Sequence, residues 1–289
     1  MKNVALINDL SGFGRCSLTA AIPVISALGI TGHPMPTAVL TGQSGYPVFH
    51  CSDMTDMLPK YTDAWKKNKA TFDGIYSGYL TGPKQIESLE EFIKEFRNEH
   101  TFVLVDPVMG DNGSVYGIYS AELLQKMKEL SMKANMITPN LTEACLLADV
   151  DYESLVSSYV GKSLLDKTAE VGKWLRDDAD VKQDVIITGI KINEDGTDYM
   201  YNLAVTDEGV YTERQKLFDR SFSGTGDLFA STMCGLKING HSTHRSMEIA
   251  GQFIHKSIMD TISYDLSRND GINFEKNLMF LMKEGLKNE

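Results

Sequence analysis

Three short runs in this chain are apolar without alternation: NVALI at 3–7, FVLVD at 102–106 and DVIIT at 184–188. A strand that is apolar at every position is buried on both faces, which in water means a parallel sheet covered by helices. The segments between these runs supply the helices. At 84–97, Ile86, Leu89, Ile93 and Phe96 recur at spacings of three and four, one face of a helix. Further helices are predicted over 17–28 (with Pro23 inside), 53–68, 120–132, 140–148, 163–179, 225–237, 243–262 and 274–286. Strands are predicted at 37–41 and 136–138, GIYSGYL at 74–80 ends a strand in a loop, and 197–217 alternates like a hairpin turned at Asp207-Glu208-Gly209. Strand–helix alternation of this kind predicts a three-layer α/β fold, a mostly parallel sheet with helices on both faces. With 289 residues, 42% of them hydrophobic, the chain can bury a full core, and no linker, repeat or low-complexity tract interrupts it. A single domain over 1–289 is the expectation.

In such sheets ligands bind beyond the carboxyl ends of the strands. The segments there read SGFG, TGQSGY, SGYLTG, DPVMGDNGS, TPNLTE and TGI, rich in Gly, Asp, Asn and Thr. Composition narrows the ligand. Lys and Arg number 28 against 39 Asp and Glu, a net charge of −11, which argues against nucleic acid or an anionic membrane as main partner. Phosphate ligands remain open, because backbone N–H groups and Mg²⁺ hold them without net positive charge. The four cysteines form no Cys-x-x-Cys pair and suit free thiols. MKNVALIND is too short an apolar run for a signal-peptide core, and no stretch reaches the ~20 apolar residues of a spanning helix. A cytoplasmic location is expected.

Four motifs carry chemistry. SGFGRCS holds only Gly12-x-Gly14 of a dinucleotide fingerprint, with no acid about twenty residues on, so it reads as a tight turn or a close backbone approach to a small ligand. DPVMGD at 106–111 places Asp106 at a strand end and Asp111 in the turn beyond. The pair reads either as holders of a metal and its waters or as a capped turn. TPNLTE at 138–143 spaces Asn140 and Glu143 as a helix cap with its N3 acid, or puts Glu143 on metal-bound water near a phosphate. GTGD at 224–227 opens a helix. Gly224 and Gly226 free the backbone to present N–H groups to an anion, and Asp227 sits in the first turn beside them. A cap alone has no need of two flanking glycines. Asp227 is therefore read as a base that takes a proton from a hydroxyl attacking a γ-phosphoryl group.

SGYL (77–80), DPVMGD (106–111), TPNLTE (138–143), the strand end Thr188-Gly189 and GTGD (224–227) occur in the order and spacing of the ribokinase-like superfamily, and within it the chain resembles the pyridoxal kinases of vitamin B6 salvage. The resemblance covers nearly the whole chain. It implies ATP-dependent phosphorylation of a hydroxymethyl group on a pyridine ring, with Mg²⁺, often K⁺, and usually a homodimer. By position it implies Asp227 as general base and Gly224, Thr225 and Gly226 as the anion hole. Asp106, Asp111 and Glu143 would manage Mg²⁺ and phosphate-bound water. Thr138, Asn140 and Thr188 would line the ATP phosphates and the monovalent-ion site, Tyr116 would lie over the nucleotide, and Asp9, Ser44 and Tyr79 would face the vitamin. Two segments depart from the pattern. Asp9-Leu10 stands where many pyridoxal kinases have Ser-His, and Gln43-Ser44-Gly45-Tyr46 where many have His-Thr-Gly-Tyr. Asp-Leu-Ser-Gly at 9–12 is similar to the Asp-Pro-Ser-Gly of the hydroxymethylpyrimidine kinases of thiamin synthesis, which share the chemistry. A B6- or nucleotide-binding protein without catalysis is the alternative from another class.

Overall fold

The computed structural model describes residues 1–285, and its contacts divide the chain into two compact units, Met1–Leu104 with the segment from Arg220 onward, and Val105–Asp219. The first opens with β1 (Asn3–Ser11), α1 (Ser17–Ala27), β2 (Thr31–Leu40), β3 (Cys51–Asp53), α2 (Leu58–Lys67), β4 (Gly74–Ser77), α3 (Pro83–Phe96) and β5 (Phe102–Val105). The second contains β6 (Gly110–Asp111), β7 (Ser114–Val115), α4 (Ala121–Met132), β8 (Met136–Ile137), α5 (Leu141–Leu147), α6 (Tyr152–Ser158), α7 (Lys162–Asp177), β9 (Asp184–Glu194), β10 (Thr197–Thr206) and β11 (Gly209–Lys216). The chain then returns to the first unit with α8 (Thr225–Ile238), α9 (Thr243–Ser263) and α10 (Leu278–Gly285). The class is the expected one, α/β with a mostly parallel sheet flanked by helices.

In the first unit the strands run in the order β5-β4-β1-β2-β3, with β1 parallel to both β4 and β2, and β3 antiparallel at the edge. Val4, Ala5, Leu6 and Ile7 of β1 have no exposed surface, as the unbroken apolar run requires. Helix α8 is buried continuously from Leu228 to Leu236 and packs against α1 and α9. An apolar helix with no polar face has to be enclosed in this way. That burial holds its N-terminus still. The face predicted on α3 is buried as expected, and Phe92 joins it in a cluster with Trp65, Phe72 and Phe96.

In the second unit β8 is parallel to β9, and β9, β10 and β11 form an antiparallel meander. Its turn at Asp207-Glu208 is the predicted one.

Several boundaries differ from the sequence reading. Strand β2 is longer than the predicted 37–41: it begins at Thr31, ends at Leu40 and contains Pro34 and Pro36. Thr31 N–H donates to the Lys2 carbonyl just before β1, so Thr31, His33 and Met35 face β1 and both prolines face the opposite edge. That edge has no partner until Ala38, so the missing N–H groups break no ladder. The helix predicted over 53–68 begins at Leu58, with Pro59 in its first turn, and is preceded by β3 and a single 3₁₀ turn. Thr188-Gly189 is not a strand end. Gly189 takes φ +77°, the register with β10 slips between Tyr201 and Leu203, and the strand continues to Glu194. The helix predicted over 274–286 is a 3₁₀ turn at Glu275–Asn277 followed by α10, and residue 286 lies outside the described residues. Helix α6 and the small β6–β7 ribbon were not foreseen. Among the described residues no helix is long and apolar enough to cross a membrane.

Candidate functional site

The predicted residues form two clusters, one in each unit. In the first, Gly224 is the N-cap of α8 in the left-handed conformation, φ +83°. A Cβ there would lie 2.0 Å from the Arg15 carbonyl oxygen, so the turn admits only glycine. Helix α8 starts at Thr225, whose Oγ1 donates to the Phe222 carbonyl at 2.9 Å. The first N–H groups of a helix have no intrahelical partner, which leaves Thr225, Gly226 and Asp227 able to present theirs to an anion.

Asp227 is half-buried in this first turn. Its Oδ1 accepts from Asn8 Nδ2 at 3.1 Å. Burial, with a smaller contribution from the charge of Asp9, pushes its carboxyl up to about 6. The Ser17 backbone N–H and the Asn8 amide pull the other way. A carboxyl poised there is mostly ionised at neutral pH and still basic enough to accept a proton.

Asp9 is buried, accepts from Ser11 Oγ at 2.8 Å, and has its own carboxyl raised by burial. Tyr79 is half-buried. Its N–H donates to Asn8 Oδ1 at 2.9 Å, and its phenol is raised by burial and then by the charges of Asp9, Cys51 and Asp53. Cys16, the N-cap of α1, is pushed up to about 12 by burial, Asp227 and Asp9, so it stays a neutral thiol. Ser44 is exposed, on a loop whose neighbours are tied down: Gln43 Nε2 donates to the Asn269 carbonyl and Tyr46 Oη to Asp270 at 2.6 Å. The structure therefore brings Asp9, Tyr79 and Asp227 together and leaves Ser44 outside that network.

The residue linking those three, Asn8, was missed in the sequence. The available signal was a polar side chain directly after the apolar run at 3–7, inside the strand that leads to the SGFG turn.

In the second unit Asp106 is buried just beyond β5 and accepts from Thr138 Oγ1 at 2.8 Å. The cap reading of TPNLTE holds. Asn140 Oδ1 accepts the Glu143 N–H at 3.0 Å, and Glu143 Oε2 accepts the Asn140 N–H at 2.8 Å. Glu143 Oε1 also accepts from Met109 N at 3.0 Å and Gly110 N at 3.5 Å, while Asn140 Nδ2 donates to the Gly110 carbonyl. Glu143 thus binds the DPVMGD turn to the start of α5. Burial and the neighbouring Asp106 charge raise its carboxyl well above the usual range. Thr188 reaches this cluster through its N–H to the Pro139 carbonyl. Asp111 is exposed and accepts from the Asn112 N–H and Nδ2, and Tyr116 is 43% exposed just beyond β7, its N–H donating to the Met109 carbonyl.

Among the described residues no group of three or more His, Cys, Asp or Glu forms a closed metal site. Two buried carboxylates, one of them raised by the charge of the other, do fit a hard cation that keeps most of its shell as water and phosphate oxygens, which is how Mg²⁺ is usually held. With both Glu143 oxygens occupied by N–H donors, Glu143 would act on such an ion through water. Removing its acceptors would orphan buried donors at Met109, Gly110 and Asn140. Glu143→Ala is therefore expected to lower the unfolding free energy in urea by about 2 kcal/mol or more. An unchanged midpoint would contradict this role.

A sequence profile described as phosphomethylpyrimidine kinase matches residues 14–271. The chain belongs to that family, within the ribokinase-like superfamily, and is an ATP-dependent kinase. A candidate phosphomethylpyrimidine kinase of Bacteroides thetaiotaomicron, solved with pyridoxal, is 36% identical, with a TM-score of 0.88 over 97% of this chain and 95% of that one. The pyridoxine/pyridoxal/pyridoxamine kinase of Bordetella avium is 25% identical over 256 residues, 86% of this chain and 82% of its own. The hydroxymethylpyrimidine/phosphomethylpyrimidine kinase of Bacillus subtilis is 26% identical over 269 residues, 90% of each chain.

Proposed function

We propose that the chain phosphorylates the 5′-hydroxymethyl group of pyridoxal, pyridoxamine and pyridoxine, acting as one kinase domain. The observation that carries this reading is Asp227: a half-buried carboxyl near 6, held by Asn8 in the first turn of a helix whose N-cap admits only glycine. In the reaction the substrate hydroxyl oxygen attacks the γ-phosphorus. A new O–P bond forms, the bond to the ADP oxygen breaks, and Asp227 takes the hydroxyl proton. The N–H groups of Gly224, Thr225 and Gly226 stabilise the charge that develops on the phosphoryl oxygens. Asp106 and Glu143 would hold Mg²⁺, which when bound neutralises phosphate charge. Thr138, Asn140 and Thr188 would line the phosphates, with a K⁺ requirement among them. Asp111 and Tyr116 would flank the nucleotide, and Asp9, Ser44 and Tyr79 would face the vitamin. A homodimer in the cytoplasm completes the proposal.

The pyridoxal bound to the Bacteroides thetaiotaomicron protein supports the B6 substrate. A second reading, phosphorylation of hydroxymethylpyrimidine, is favoured by Asp-Leu-Ser-Gly at 9–12 and by the Bacillus subtilis relative. The test is ADP release by the purified protein with Mg-ATP and pyridoxal, pyridoxamine, pyridoxine, hydroxymethylpyrimidine or ribose, with and without K⁺. A B6 vitamer is expected to give the highest kcat/KM. Preference for hydroxymethylpyrimidine would transfer the assignment to the second reading, and no stimulated ADP release with any acceptor would refute both.

A further inference from the structure

Asn8 is 1% exposed and stands where the parallel register between β1 and β2 slips, between Asn8 and Leu10. Its carboxamide is fully used. Oδ1 accepts two backbone N–H groups, from Asp9 at 2.9 Å and from Tyr79 at 2.9 Å. With the oxygen committed to two donors, the NH₂ end has to face Asp227, and Nδ2 donates to Oδ1 of that carboxyl at 3.1 Å. The neighbouring chain is shaped around this side chain. A Cβ on Gly78 would lie 2.3 Å from Asn8 Nδ2, so the bare backbone at Gly78 makes room for the amide.

We propose that Asn8 is a positioning residue for the transfer step: it grips Oδ1 of Asp227 and couples that grip to the backbone of Asp9 and Tyr79. The proposal rests on Asp227 being the base. An amide donor fits this task for a chemical reason. Because Nδ2 can only donate, Oδ1 remains an acceptor whether Asp227 is ionised or protonated, and the substrate proton is directed to Oδ2. The amide does not itself titrate, so it cannot compete for that proton. The hydrogen bond favours the ionised carboxylate, opposing the burial and the Asp9 charge that raise it. The titratable groups facing Asp227 here are Asp9 on β1 and the neutral thiol of Cys16 before α1. The link to Asp9 and Tyr79 gives the arrangement a second consequence: displacement of either backbone on the substrate side moves the amide that orients the base.

The test is Asn8→Asp, which keeps the shape and the acceptor for both backbone N–H groups and replaces only the donor to Asp227. Asn8→Leu, which removes the donor without adding charge, is the second variant. Each is assayed with pyridoxal and Mg-ATP across pH, alone and in an Asp227→Asn background, with melting curves to establish folding. The acidic limb of kcat/KM is expected to move up by at least about half a pH unit in Asn8→Leu and further in Asn8→Asp. At pH 7 kcat should fall about 10-fold or more and recover in part at higher pH, with KM for Mg-ATP within about twofold of wild type. In the Asp227→Asn background neither change should lower the residual rate much further. A folded variant with an unmoved acidic limb, or the same fold-loss in both backgrounds, overturns the role of Asn8. Near-normal turnover by Asp227→Asn alone overturns instead the assignment of the base.

Discussion

Asp227→Asn is expected to lower kcat by at least about 100-fold while leaving ADP binding within about twofold. Asparagine keeps the shape and can still accept from Asn8 through Oδ1, so the N-terminus of α8 and its N–H groups stay in place. The loss is confined to the proton acceptor. The same substitution carries a second expectation of opposite sign. Asp227 has its carboxyl raised from 3.8 to about 6 by burial, so folding favours its protonated form. The native state then binds more protons than the unfolded chain between pH 4 and 6, and this group's contribution to stability falls as pH rises through that window. Above it the ionised carboxylate destabilises the fold by up to about 3 kcal/mol, since a tenfold change in proton affinity is worth roughly 1.4 kcal/mol. Asp227→Asn removes that penalty, and its melting temperature should exceed wild type at pH 8 and converge with it near pH 4. Turnover by single-cycle ADP release and thermal unfolding at the two pH values measure both effects. An active variant would refute the base, and a variant less stable at pH 8 would refute the desolvation of Asp227. Stability gained with activity lost is the behaviour of a group kept for chemistry.

The apolar runs at 3–7, 102–106 and 184–188 were sufficient to place strands β1, β5 and β9, because burial on both faces writes itself into every position. The α3 face was legible for the same reason at a different period. What could not be read was what depends on a partner strand. β2 tolerates Pro34 and Pro36 only because the edge they face is unpaired up to Ala38, and no local property of 31–40 reports that. Strand β9 passes through the glycine that looked like its end because the partner strand slips register to accommodate it.

The site divides in the same way. GTGD was readable as the start of a helix because its glycines and acid stand directly before an apolar run, and the structure begins α8 there. Asp106, Thr138, Asn140 and Glu143 were readable as candidates, but not the way they are wired. TPNLTE offered a cap or a metal-side acid, and the structure makes the cap explicit: Glu143 uses both oxygens on N–H groups from two segments about thirty residues apart. Asn8 was hidden because its meaning lies in Asp227, 219 positions away, and in the absence of a side chain at Gly78.

Gly224→Ala is expected to have the next largest effect, and it reaches the same carboxylate through the backbone. At φ +83° any L-residue incurs roughly 1–2 kcal/mol of conformational strain. The added methyl would also sit 2.0 Å from the Arg15 carbonyl oxygen and 3.3 Å from Cys16 Cα, both backbone atoms. That backbone cannot easily retreat. Arg15 Nε is paired with Glu275 at 2.6 Å, its guanidinium donates to the Asp270 carbonyl, and the Arg15 carbonyl oxygen lies 2.7 Å from where a Cβ on Gly271 would stand. The start of α8 has to move instead, carrying the Thr225 and Gly226 amides and Asp227. A displacement on the order of 1 Å at a reacting group costs about 100-fold in rate, so kcat should fall by that factor, with a lower melting temperature. Gly161→Ala separates the two contributions. Gly161 also has positive φ, +55°, but a Cβ there meets nothing within 4 Å and the residue caps α7, in the other unit. It should show the conformational loss in stability with kcat unchanged. If Gly224→Ala loses stability to the same extent as Gly161→Ala and turns over at the wild-type rate, the approach of Arg15 to Gly224 does not set the position of the anion hole.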